Sequence, residues 1–114
     1  MSRSVRIILG DILRAALLAR RYTTDVSIEA FSEDTEKQDA VARRIEIIGE
    51  AVKQLPDGLR EQYSDVPWRD IAGARDILIH EYFRIDLELA WDMVHKDIPE
   101  LISQIERILD DLDE

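Results

Sequence analysis

One rhythm runs through most of this chain and leaves it few ways to fold: apolar residues recur at alternating steps of three and four. Val5, Ile8, Ile12, Ala15, Ala19 and Tyr22 form one such series, and Val41, Ile45, Ile48, Val52 and Leu55 form a second. Leu87, Trp91, Val94, Ile98, Leu101, Ile105, Ile108 and Leu112 carry it almost to the end of the chain. At about 100° per residue, each series falls on one face of an α-helix. No stretch alternates with the period of two that a half-buried strand requires. The chain is therefore expected to be all-α, and the apolar stripes can leave water only by packing on one another.

The breaks in the rhythm divide the helices. The first helix ends near Tyr22, and residues 22–39, rich in Thr, Ser and acids, read as a connection with a turn of helix around residues 28–31. A second helix over residues 36–55 is stopped by Pro56, Asp57 and Gly58, and residues 58–65 read as a polar link. Pro67 suits the first turn of a third long helix, expected to continue to Phe83. Asp86 is placed to cap a fourth, in which Pro99 has no N–H for the carbonyl of His95. A kink that keeps both pieces on one face is expected there, rather than a break with a new cap at Asp97. With 114 residues, one domain over residues 1–114 is expected, folded as an antiparallel up-and-down four-helix bundle.

Charge narrows the partners. The chain carries a formal charge of -10, so an RNA or DNA backbone is not attracted by the molecule as a whole, and any such site is local. The first 22 residues hold five arginines against Asp11, whereas the C-terminal residues Asp110, Asp111, Asp113 and Glu114 form an acidic tail expected to do no more than solvate that end. Without a cysteine, disulfides, thiolate metal sites and thiol nucleophiles are excluded, and a reducing compartment, the cytoplasm, is the expected location. No apolar run approaches the roughly 20 residues that span a bilayer, so no membrane partner is expected.

The chemistry concentrates in Arg75, Asp76, His80 and Tyr82. On a continuous helix Asp76 and His80, four apart, share a face, and Arg75 and Tyr82, seven apart, lie on neighbouring rows. His80 exchanges protons near neutral pH, Asp76 can orient it, and the planar fork of Arg75 suits a phosphate. The same residue types also make structural ion pairs on amphipathic helices, so spacing alone leaves both readings open. One histidine and one nearby carboxylate underfill a zinc or iron shell, and no metal or other cofactor is expected. His95 with Asp92 reads as a solvated pair, and Trp68 and Trp91 as packing residues.

The run from Trp68 to Phe83 resembles the signature of the HepT-like proteins, RNase toxins of the HEPN superfamily. In that family an arginine, a polar residue, three further residues, a histidine, one residue and a tyrosine follow in order. Arg75, Asp76, His80 and Tyr82 fill those places. Residues 43–51, with Arg43, Arg44 and Gly49, look like the family's second-helix motif, and residues 86–101, with Trp91, Asp97 and Pro99, look like its final helix. The resemblance implies a helical bundle that forms a homodimer, with two Arg-His sets meeting at the two-fold interface and cutting RNA without a metal. It assigns catalysis to Arg75 and His80, with Asp76 in support. It also implies a partner, a nucleotidyltransferase antitoxin of the MNT type, which neutralises the toxin of this type VII pair by transferring AMP to Tyr82, with higher hetero-oligomers open to the pair. Asp76 stands where the family often has asparagine, so it either weakens activity or is satisfied by Arg75. Arg69, Arg43 and Arg44 are further candidates for holding RNA. A rival of another class is a non-catalytic helical adaptor that binds and regulates the nucleotidyltransferase.

Overall fold

The computed structural model describes residues 4–80 and 84–113, with the backbone alone for His80 and Arg84. Its long helices are α1 (Val5–Thr23), α3 (Thr35–Lys53), α5 (Trp68–Leu78) and α7 (Ile98–Leu112), with short helices α2 (Ile28–Ser32), α4 (Asp57–Gln62) and α6 (Leu87–Asp92) between them. Side chains fix several starts. Ser4 accepts from the Ile7 N–H at 3.2 Å, Ser27 from Ala30 at 3.1 Å, Asp34 from Lys37 at 3.0 Å and Asp86 from Leu89 at 3.1 Å. Each such cap is worth about 1 kcal/mol. The principal helix contacts run from α5 to α3, from α3 to α1 and from α1 to α7. No helix among the described residues is long and apolar enough to cross a membrane.

Two apolar clusters hold the helices. The larger joins Leu9, Ile12 and Ala16 of α1 to Ile48 and Val52 of α3 and to Ile102, Ile105 and Ile108 of α7. The smaller gathers Phe31, Val41, Ile45, Leu78, Ala90 and Val94, and so anchors the end of α5. Trp91 lies against Phe31 with ring centroids 5.6 Å apart. Trp68 is buried and donates its indole N–H to the Tyr63 carbonyl at 3.0 Å. Both tryptophans pack, as their spacing suggests.

Four expectations need correction. The polar link after Gly58 is in fact helix α4: Pro56 serves as its N-cap, and Asp57 places a negative charge in its first turn. The third helix stops at Leu78, five residues before its expected end, and the chain becomes extended. Ile79 pairs with Ile85 and His80 with Arg84 in a short antiparallel ladder of β1 (Ile79–His80) and β2 (Arg84–Ile85), so the fold is helical apart from this ladder. Ile77, Ile79 and Ile85 are β-branched and suit extended backbone, while the Asp86 N–H satisfies the Leu78 carbonyl at 2.9 Å.

The acidic tail is more than a solvated end. Asp113 pairs with Arg6, and Asp111 accepts from the Tyr63 hydroxyl at 2.7 Å. That bond raises the Tyr63 pKa above its ordinary value. Nearby, Arg107 donates to Asp65 at 2.8 Å and holds that carboxyl below its ordinary value. Finally, His95 does not pair with Asp92. It donates from Nδ1 to the Trp91 carbonyl at 2.9 Å and stacks on that indole at 4.0 Å, while Asp92 faces Lys96 at 3.7 Å.

Near Pro99 the helix widens instead of breaking. Residues Met93–Asp97 form a π-helical turn in which the Ile98 N–H reaches back five residues to the Met93 carbonyl. The wider turn accommodates a proline in the first turn of α7, and Val94, Ile98 and Leu101 stay buried on either side of it.

Candidate active site at the end of α5

The site begins with a glycine on α3. A Cβ placed on Gly49 would stand 3.0 Å from the carbonyl oxygen of Ala72 and 3.3 Å from that of Ile71, so the two helix backbones meet where only hydrogen fits. One turn away from that crossing on each helix, Glu46 and Arg75 face each other, with Oε2 3.2 Å from Nε. Glu46 also accepts from Arg43 at 2.6 Å through its other oxygen. A single carboxylate thus braces two guanidinium groups.

Arg75 is half-buried, and its Nη1 lies 3.5 Å from the Asp76 carboxylate. Its Nε is buried, and the approach to Glu46 is an ion pair without hydrogen-bond alignment. The guanidinium is held electrostatically at the rim of α5, with part of its fork open to a ligand. That is what binding a phosphate requires. Asp76 is 81% exposed and paired with Arg75, so of the two outcomes expected for an acid at this position the structure contains the ion pair.

The helical relation expected between Asp76 and His80 does not exist, because α5 ends at Leu78 and His80 lies on β1. The side chain of His80 and the whole of Tyr82 lie outside the described residues. Arg69 is exposed near the start of α5, Arg43 is engaged by Glu46, and Arg44 lines a separate cleft between α1 and α3. Among the described residues no three metal-ligating side chains converge.

Glu46 is the site residue that spacing alone missed. The one hint is Gly49 within the α3 stripe, because a glycine in a helix interior marks close approach by another backbone.

A mainly apolar cleft of about 250 Å³ lies between α3, α5, the π-helical turn and α7, lined by Ile45, Ile48, Ile71, Ala74, Ile77 and Leu101 among others. Ile77 is 56% exposed, the most open of the large apolar side chains among the described residues.

A family model described as "Ribonuclease HepT-like" matches residues 12–108. A protein of Thermococcus cleftensis named "Probable ribonuclease HepT" is 40% identical over 108 residues, which are 95% of this chain and 98% of that one. A "Putative RNase" of Caldanaerobacter subterraneus is 50% identical over 107 residues, 94% of this chain and 96% of its own. A protein of Methanocaldococcus jannaschii named "Gamma-glutamylcyclotransferase and putative RNase" is 48% identical over 113 residues. That match covers 99% of this chain but 51% of the relative, so the chain spans about half of that protein. No solved structure matches the chain significantly.

Proposed function

Because the chain belongs to the HepT-like ribonuclease family, we propose that it is the ribonuclease toxin of a type VII toxin–antitoxin pair, acting as a homodimer through Arg75 and His80. The observation that carries this reading is the braced, partly open guanidinium of Arg75 in the last turn of a helix that leads straight into the segment bearing His80.

In the proposed reaction one imidazole removes the proton of a ribose 2′-hydroxyl. The freed oxygen attacks the adjacent phosphorus, the bond to the 5′-oxygen breaks, and that oxygen takes a proton. The products are a 2′,3′-cyclic phosphate and a 5′-hydroxyl. Arg75 neutralises the charge that builds on the phosphorus oxygens, and Asp76 and Glu46 hold Arg75 in place. One imidazole does not readily serve both sides of an in-line displacement, whereas a two-fold pair supplies a base and an acid. Exposed Ile77 and the apolar cleft that it lines support an interface on this face of α5.

Neutralisation falls to a nucleotidyltransferase partner. The Tyr82 phenol loses its proton and attacks the α-phosphorus of ATP, pyrophosphate leaves, and the resulting AMP ester puts bulk and negative charge where substrate phosphate would sit. Intact mass and RNA cleavage are to be measured for the chain alone and after incubation with the partner and ATP. The expected result is cleavage by the chain alone, then one adenylyl group on Tyr82 and loss of cleavage. Lost activity with unmodified Tyr82 would mean neutralisation by binding alone, and a folded chain that cuts no RNA at any salt would favour a regulatory adaptor.

A further inference from the structure

A second group of arginines shares Glu46 with the proposed active site. Between α1 and α3 runs a cleft of about 600 Å³ whose charged lining includes Arg14, Arg43 and Arg44 together with Asp11, Glu46 and Glu50. Formal charges balance there, but the pairing does not. Glu46 is engaged by Arg43 and Arg75, Glu50 lies 3.3 Å from Lys53, and Asp11 is also partnered. Arg14 and Arg44 have no ion pair or hydrogen bond from their side chains among the described residues. The Nε of Arg44 is buried without a hydrogen-bond partner, a costly arrangement unless an acceptor arrives. Every acid of the cleft is occupied, and two of its three guanidinium groups are not.

We infer that this cleft binds a phosphate of the RNA strand next to the one held by Arg75, with Arg44 and Arg14 as its anchors; the inference rests on the ribonuclease reading above. Glu46 links the two places, because it lines the cleft and touches the Arg75 guanidinium. A polymer with a phosphate at Arg75 passes over Glu46 and Arg43 to reach the cleft, and its regularly spaced anions meet a line of guanidinium groups. On a chain with a charge of -10, such a local track is what overcomes repulsion from the rest of the surface. The planar fork of arginine accepts phosphate oxygens in pairs, which suits backbone contacts independent of base sequence.

The test measures the salt dependence of binding to a 2′-O-methyl oligoribonucleotide, which cannot be cut, by fluorescence anisotropy. Wild type is compared with Arg14→Gln/Arg44→Gln and with Arg20→Gln/Arg21→Gln, a pair in the last turn of α1 that removes equal charge. Each phosphate no longer neutralised lowers the slope of log affinity against log salt by about 0.7, so loss of this one phosphate should lower it by about 0.7 and weaken binding roughly 5-fold at 0.1 M salt. The control pair should keep the wild-type slope. If the double variant fails to fold, Arg14→Gln, at an exposed position of α1, carries the test at half the effect, and Arg44→Lys should retain most of the slope. An unchanged slope in the cleft variant, or an equal loss in the control, overturns the cleft while wild-type RNA cleavage leaves the ribonuclease reading intact. Wild type that neither cuts RNA nor binds the oligonucleotide overturns both.

Discussion

The crossing of α3 and α5 can be tested by two substitutions with the same local chemistry and opposite surroundings. Gly49 and Gly73 both lie inside helices, and neither has a positive φ. Replacing glycine by alanine in a helix interior gains roughly 0.8–1.0 kcal/mol from propensity alone. At Gly73 a new Cβ meets nothing within 4 Å, so Gly73→Ala should show that gain. At Gly49 the new Cβ would stand 3.0 Å from one backbone carbonyl and 3.3 Å from another, neither of which can swing aside as a side-chain end can. Forcing the helices apart costs about 1–3 kcal/mol. The propensity term cancels between the two variants, so Gly49→Ala should be less stable than Gly73→Ala by about 1–3 kcal/mol. Urea titrations at one protein concentration, with linear extrapolation and a check that the slopes agree, measure that difference. Gly49→Ala as stable as Gly73→Ala, or more so, would refute the close approach, and with it the account of how Glu46 is brought to Arg75.

Three further outcomes are expected. Leu78→Ala removes a fully buried side chain at the end of α5 and should cost about 2–5 kcal/mol by thermal or urea denaturation; a loss under 1 kcal/mol would mean that the smaller cluster does not anchor this end. If the proposed homodimer forms through exposed Ile77, Ile77→Glu should give a folded monomer in light scattering where wild type gives a dimer, and a dimer unchanged by that charge would move the interface elsewhere. The raised pKa of Tyr63 stabilises the fold below its ordinary value of 10.0, and this contribution is lost as pH rises through the raised value, so Tyr63→Phe should flatten the alkaline limb of stability. An alkaline limb identical to wild type would remove Tyr63 and Asp111 as its source.

The helices that bury one unbroken stripe were legible from spacing, and α1, α3 and the run from α6 through α7 lie close to where the apolar series place them. The end of α5 was not, because two signals conflict over the same residues. Leu78 and Tyr82 keep the four-residue helical step, while Ile77, Ile79 and Ile85 favour extension, and the bond from Asp86 to the Leu78 carbonyl settles the matter only once the chain has turned back. Helix α4 was missed because Pro56 and Asp57 serve equally as the stop of one helix and the start of the next. In the proposed site, Arg75 and Asp76 are the residues that the local run offers and whose side chains the structure describes. Glu46 is 29 positions away from Arg75 and is one of several acids on α3, so its partner becomes evident only from the helix crossing at Gly49.

The most direct measurement of the central claim is cleavage of a labelled RNA in the presence of a chelator, comparing purified wild type with His80→Ala and Arg75→Lys, each verified as folded by circular dichroism. The account predicts wild-type products ending in a 2′,3′-cyclic phosphate, a fall of roughly 10²–10⁴-fold for His80→Ala, and a marked loss for Arg75→Lys, which keeps the charge but not the fork. Undiminished cleavage by folded His80→Ala would contradict it.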